Sequence, residues 1–394
     1  MVSLLNMDKK KKALGFLFIV LVGIALYCNT LNSPFIYDDL HTIVENPYIK
    51  QSKYLPSLFD LSSIKDSAAR SSYRPVLMLT FFLNYTFGGL NPFGYHLINI
   101  TLHILNAILV FCLINRLFAP LDSKHLTGFT SNLGYKVSLF SSLLFLVHPV
   151  NSETVNYITC RSELLAGFFV LLSFLLFIKS RASENPSLYR SSLIVFTLGL
   201  FSKEAALILP LILITYDICF FKDKKGFSLR FKRYYLAYFI IIFGYVLLRA
   251  YLLGNFFGSL YKVGVSRSFA VNLLTQAKVI VFLYLRLIFL PLGLSIDHYI
   301  PVSKNIFEWQ VLFSLVTIIV LLAVAFKVIK RQAIISFFLF WFFINLLPTS
   351  LIPLHIIANE HRLYLASISF SFLLSWGLIK VFSLKKFQNR HFNL

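Results

Sequence analysis

The chain is short of charge, and shortest of acid. Only 13% of its 394 residues are charged, with 16 Asp and Glu against 37 Lys and Arg, where soluble domains carry roughly 25% charge. With 58% hydrophobic residues, this excludes an ordinary soluble domain and indicates a polytopic membrane protein. Cysteine is scarce as well. Cys28, Cys112, Cys160 and Cys219 are widely scattered, without a Cys-x-x-Cys pair or a metal-ligand spacing. A disulfide framework and a structural zinc are therefore not supported, and no metal or other cofactor is expected from the pattern. No internal repeat or low-complexity tract is visible, which disfavours the repeated halves of many transporters and lipid flippases.

What charge there is lies unevenly. A net charge of +21 would suit nucleic acid, but 23 of the 37 basic residues fall in the N-terminus, 116–136, 179–190, 217–233, 327–331 and 380–394. These segments hold only five acids, Asp8, Asp122, Glu184, Asp217 and Asp223. This is the positive-inside signature, so these segments are placed in the cytoplasm and no nucleic-acid partner is expected. Lys9 to Lys12 precede the apolar stretch Ala13 to Tyr27, which lacks a small-residue cleavage site and reads as a retained anchor.

The first outer loop, residues 30–95, follows. Turn formers (Asn46-Pro47, Pro56, Gly88-Gly89, Asn91-Pro92) and an apolar pattern near Leu55 to Ile64 predict short interfacial helices there. Further spans are expected over Tyr95–Phe118, Val137–Val150, Leu164–Ile178, Leu193–Phe201, Ala205–Phe221, Tyr235–Leu253, Ile306–Phe326, Ile334–Ile352 and Leu363–Phe382. Several are shorter than the roughly 20 residues that cross a hydrocarbon core. Short helices ending in charge imply a water-filled outer cavity. Phe269 to Leu290 contains Lys278 and Arg286, and the charge rule is kept only if it is re-entrant or steeply tilted. The expectation is an all-α polytopic bundle of about ten helices. It forms a single domain over 1–394, with both termini cytoplasmic and no C-terminal soluble domain.

Two adjacent acids, Asp38 and Asp39, stand just past the first span, where ionised groups are costly and usually functional. They could also cap a loop helix. The other outward ends carry Tyr37, Arg74, His148 with Asn151 and Glu153, Arg161 with Glu163, and Lys203 with Glu204. Arg286, Asp297 with His298, and Glu360 with His361 and Arg362 complete the set. His96, Asn99, His103 and Asn106 share one helical face, as cavity lining or as hydrogen-bonding glue. The arginines and lysines can equally be snorkelling side chains or ion-pair partners, and His148 before Pro149 can simply end a helix. Such acids and bases suit transfer of a sugar from a lipid phosphate. A carboxylate takes the acceptor's proton while Arg and Lys stabilise the leaving phosphate.

At these residues the sequence resembles the membrane part of the transmembrane and tetratricopeptide-repeat O-mannosyltransferases. More distantly it is similar to the protein O-mannosyltransferases of the GT-C class. The matching blocks are Pro34-Phe-Ile-Tyr-Asp-Asp, Ser72-Tyr-Arg-Pro, Gly88-Gly-Leu-Asn-Pro-Phe-Gly-Tyr-His, His148-Pro-Val-Asn-Ser-Glu-Thr-Val, Arg161-Ser-Glu-Leu-Leu, Ser202-Lys-Glu and Glu360-His-Arg-Leu-Tyr-Leu-Ala-Ser. The resemblance implies a GT-C fold, a polyprenyl-phosphate sugar donor and inverting transfer on the extracytoplasmic face, with Asp38 as base. Asp39 and Glu153 would orient the acceptor or donor, and Arg74, Arg161, Lys203 and Arg286 would meet the phosphate. Tyr37, His96, His103, His148, Glu163, Glu204, Asp297, His298 and Arg362 would line the cavity. Asn151 stands where repeat-bearing relatives commonly have His, which argues against a metal there. The expected enzyme moves a mannose-like sugar to a protein, glycan or lipid hydroxyl at a bacterial or archaeal plasma membrane. An O-antigen polymerase or ligase is the rival enzyme, disfavoured because its arginines usually sit in a large late outer loop. A lipid-linked sugar flippase or transporter is the rival from another class.

Overall fold

The computed structural model describes residues 9–54, 56, 73–118, 131–221, 230–253 and 267–391. Among these residues the fold is all-helical. Helices α1 (Lys9–Tyr27), α2 (Pro75–Gly88), α3 (Pro92–Phe118) and α4 (Ser131–Val147) come first. A bend of 53° separates α4 from the short α5 (Ser152–Asn156). Then come α6 (Arg161–Ser183), α7 (Pro186–Leu200), α8 (Leu209–Phe220) and α9 (Leu236–Leu253). The helix α10 (Phe269–Phe289) widens to a π-helix over Val279–Leu285. The chain continues through α11 (Trp309–Val328), α12 (Ala333–Leu351) and α13 (Ser367–His391).

Local chemistry sets several of these ends. Proline occupies the first turn of α2, α3 and α7, where its missing N–H is not needed. The Asn185 side chain accepts from the N–H groups of Ser187 and Leu188 and caps α7. Gly89, at φ +57°, ends α2 in a conformation that a Cβ would strain.

Seven described helices are long and apolar enough to cross a membrane, or eight if α4 and α5 form one bent span. The two shorter apolar helices, Pro75–Gly88 and Ser367–Phe382, stand beside them. The polytopic all-α class read from composition is therefore the observed one, with fewer full-length spans than the ten expected. Most of the expected interfacial helix near Leu55 to Ile64 lies outside the described residues. What is described of that loop is a series of single turns at Cys28–Thr30, Leu40–Val44, Pro47–Ile49 and Ser52–Tyr54.

Lipid tails are as apolar as leucine, so tight packing and buried polar contacts must hold such helices together. Aromatic rings do much of the packing. Phe338 stacks on Phe372 at 4.1 Å between centroids, Trp341 on Phe174 and Phe118 on Trp376. Phenylalanine is thus divided between the interior (Phe111, Phe145, Phe174, Phe177) and the outer surface (Phe18, Phe87, Phe243, Phe326).

The two ends of the bundle differ. At one end Arg181 and Arg230 pair with Asp217 at 2.6 and 3.1 Å, and Tyr135 donates to the Lys11 carbonyl. At the other end the loops after α1, α5, α7, α10 and α12 meet. Both ends of α10 are tied there. Asn272 donates to the Ser350 carbonyl near its start, and His148 donates to the Ile288 carbonyl near its finish. The helix α10 is itself among those long and apolar enough to span. Its Lys278 ammonium is satisfied by the Pro301 carbonyl at 2.6 Å.

Candidate active site

The two adjacent aspartates take opposite roles. Asp39 is fully buried. Its carboxylate accepts from the backbone N–H of Thr159 at 2.8 Å and of Ile36 at 3.2 Å, fixing the first loop to the turn before α6. Burial raises the Asp39 carboxyl above its ordinary range, and these N–H bonds pull it partly back. Asp38 is exposed. Its backbone N–H donates to the Tyr157 hydroxyl at 2.9 Å, while its carboxylate has no hydrogen-bond or ion-pair partner among the described residues. Tyr37, exposed beside it and edge-on to Tyr157, takes φ +45°, which is uncommon for a bulky side chain. The chain therefore turns sharply over Tyr37 and leaves one carboxylate exposed next to the anchored one.

A second group holds cations. Lys203 pairs with Glu163 at 2.6 Å, and Glu204 takes both Arg74 at 2.9 Å and Arg249 at 2.5 Å. Burial alone would raise the Glu204 carboxyl, but Arg74 and Arg249 together hold it far below the usual range. Three cations against two carboxylates leave one positive charge for an incoming anion. Sequence reasoning missed Arg249. Its signal was a lone arginine in an apolar helix, four residues after the tyrosine whose hydroxyl it meets, Tyr245.

A third group joins the late loops. Glu153 accepts from both the backbone N–H (2.9 Å) and the imidazole Nδ1 (2.7 Å) of His361. Glu360 accepts from His298 at 2.9 Å and from the Ser295 N–H at 2.6 Å. Burial raises the Glu360 carboxyl, and burial with Lys203 nearby pushes the His361 imidazole well below its usual value.

Other expected site residues do structural work. The Arg161 guanidinium is fully buried. It donates to Asn99, Thr80, Asn84 and the Tyr95 carbonyl, and lies over the Phe81 ring at 4.6 Å. It is turned into the protein and is not presented to a phosphate. His103 donates to the Leu146 carbonyl and accepts from the Tyr364 hydroxyl, which Asn106 also meets. His96 donates to the Ser33 carbonyl, and His148 caps its turn by accepting from the Val150 N–H. These three histidines are buried glue and not cavity lining, because each ring bonds to a backbone carbonyl of a neighbouring segment, His96 through Nε2 alone. Arg362 holds the Ile356 and Ile357 carbonyls. Arg286 and Asp297 are exposed, and the Arg286 guanidinium makes no polar contact with described residues. Among the described residues neither side chain bonds to the three groups above.

Fold and site together define a polytopic all-α membrane protein with an acid- and base-rich end. The chain is 30% identical over 347 residues to "Protein O-mannosyl-transferase tmtc2" of Xenopus laevis, a match covering 79% of this chain and 39% of that protein. It is 29% identical over 340 residues to TMTC2 of Homo sapiens, covering 79% of this chain and 39% of the relative. It is 33% identical over 176 residues to TMTC3 of Homo sapiens, covering 43% of this chain and 18% of the relative. The chain is thus a relative of the protein O-mannosyl-transferases and spans about 39% of the length of those it matches most extensively. No family model and no solved structure matches it.

Proposed function

We propose that the chain is an integral-membrane glycosyltransferase that moves a mannose-like sugar from a polyprenyl phosphate to a hydroxyl acceptor, with inversion. The observation that carries this reading is the divided aspartate pair. Asp39 is locked to two backbone N–H groups, so Asp38 is held out as a free carboxylate on the same end as the cations Lys203, Arg74 and Arg249.

In this mechanism the acceptor oxygen attacks the anomeric carbon from the face opposite the phosphate. Asp38 takes the hydroxyl proton, and the C–O bond to the polyprenyl phosphate breaks with its electron pair leaving on the phosphate. The surplus cation beside Glu163 and Glu204 stabilises that charge as it forms, which is where electrostatic help lowers the barrier. Lys203, freed from Glu163, or Arg74 and Arg249, shared by Glu204, are the donors. The site faces the extracytoplasmic side of a plasma membrane, with both termini inside. The names of the relatives support a protein acceptor.

The test is transfer from a synthetic polyprenyl-phosphate mannose by the purified chain, beside mass spectrometry of glycans from a strain lacking it. Unchanged glycans together with no transfer from any polyprenyl-phosphate sugar would overturn the reading.

A further inference from the structure

We propose that Glu153, Cys160 and His361 form a zinc-type metal site, a role that local spacing in the sequence could not reveal. The three residues come from α5, the turn before α6 and the turn before α13. One ligand atom of each, a carboxylate oxygen, the thiol sulfur and an imidazole nitrogen, all lie within 4.8 Å of one another. Zinc bonds to oxygen and nitrogen at about 2.0–2.2 Å and to sulfur at about 2.3 Å. A tetrahedral ion therefore needs its ligand atoms roughly 3.3–3.7 Å apart, so separations near the 4.8 Å limit close by about an ångström while the 2.7 Å Glu153–His361 contact opens to admit the ion.

The chemistry of the set is selective. Thiolate, imidazole and carboxylate together suit zinc or cobalt, whereas magnesium and calcium favour all-oxygen shells. Three protein ligands leave a fourth position open, as in zinc sites that bind an exchangeable ligand. The surroundings supply the charge. The charges that act on Cys160 are those of Glu153, Glu163 and Asp39, with Lys203 the cation among them. A divalent ion would relieve this concentration of acid and would replace the 2.7 Å hydrogen bond between Glu153 and His361. The supports are already rigid. Glu153 accepts from the His361 backbone N–H, and neighbouring Glu360 is fixed by His298 and Ser295. A bound ion would staple three chain segments at the polar end, whatever the acceptor or donor.

The test reads metal binding and not activity. The chain is purified in detergent under reducing conditions, and its zinc content is measured before exchange with cobalt(II). We expect one ion per chain, with a near-ultraviolet thiolate-to-cobalt charge-transfer band and strong visible bands of a tetrahedral site. Cys160→Ser removes the charge-transfer band, and Glu153→Gln and His361→Gln weaken cobalt binding at least tenfold. A variant with Cys28, Cys112 and Cys219 all replaced by Ser keeps the band, since Cys160 is then the sole thiol. That last variant decides the matter even where Cys160→Ser does not fold. Absence of the band in the variant whose only thiol is Cys160, or its persistence in folded Cys160→Ser, overturns the site.

Discussion

Replacing Asp39 separates anchoring from chemistry in the aspartate pair. Its carboxylate takes two backbone N–H groups, from Thr159 at 2.8 Å and Ile36 at 3.2 Å, and is closed to water. Asp39→Ala orphans both donors, at about 1–3 kcal/mol each, or roughly 2–6 kcal/mol in all, less the relief of no longer burying a carboxylate. Asp39→Asn keeps one acceptor oxygen but turns an amide N–H toward the other donor, so about 1–3 kcal/mol is lost. Asp38→Asn touches an exposed side chain whose backbone N–H bond to Tyr157 survives, and should shift stability by no more than about 0.5 kcal/mol. Unfolding of the three purified variants in detergent, followed by circular dichroism against denaturant, ranks them. The predicted order is Asp39→Ala least stable, then Asp39→Asn, with Asp38→Asn level with wild type. Asp39 variants as stable as wild type, yet without transfer, would refute the anchoring role and give Asp39 a direct part in the reaction.

Three further outcomes are expected. Arg161→Leu leaves the oxygens of Asn99, Asn84, Thr80 and Tyr95 without their donor, at about 1–3 kcal/mol per orphaned acceptor. Arg161→Lys does not rescue it, because an ammonium lacks the fork; a stable Arg161→Leu with weakened donor binding would instead return Arg161 to the phosphate. Glu204 has a depressed folded-state value, so the stability it adds is complete above the ordinary glutamate value of about 4.3 and is lost as pH falls below it. Glu204→Gln should flatten that acid limb in an unfolding series from pH 6 to 3 (chosen to bracket about 4.3), and an unchanged limb contradicts the Arg74–Glu204–Arg249 network. In a background lacking Cys28, an impermeant thiol reagent should label Gln51→Cys in intact cells and Lys330→Cys only after permeabilisation; the reverse pattern inverts the topology.

Composition made the membrane class legible, because hydropathy and the placement of lysine and arginine follow directly from the bilayer. It did not settle α10, where Lys278 and Arg286 suggested a re-entrant or tilted course for a helix that is long and apolar enough to span. Other features depended on which side of a helix meets which neighbour. His96, Asn99, His103 and Asn106 share a face by spacing alone, yet only their contacts with Ser33, Val155, Leu146 and Tyr364 make them glue. Asp38 and Asp39 are told apart in the sequence only by the resemblance, and the Thr159 and Ile36 N–H groups show which carboxylate is anchored. Arg249 disappeared into an apolar span, and Glu153 and His361, some two hundred positions apart, had no local pattern to join them. In each case the missing information was a long-range contact, which local periodicity does not carry.

The most direct measurement is the turnover of folded, purified Asp38→Asn with synthetic polyprenyl-phosphate mannose and a hydroxyl acceptor. A neutral amide cannot take the acceptor's proton. Turnover should therefore fall by roughly 10²–10⁴-fold, while donor binding and stability stay at wild-type levels. Ordinary turnover in this variant would contradict Asp38 as the base and, with it, the account of the site.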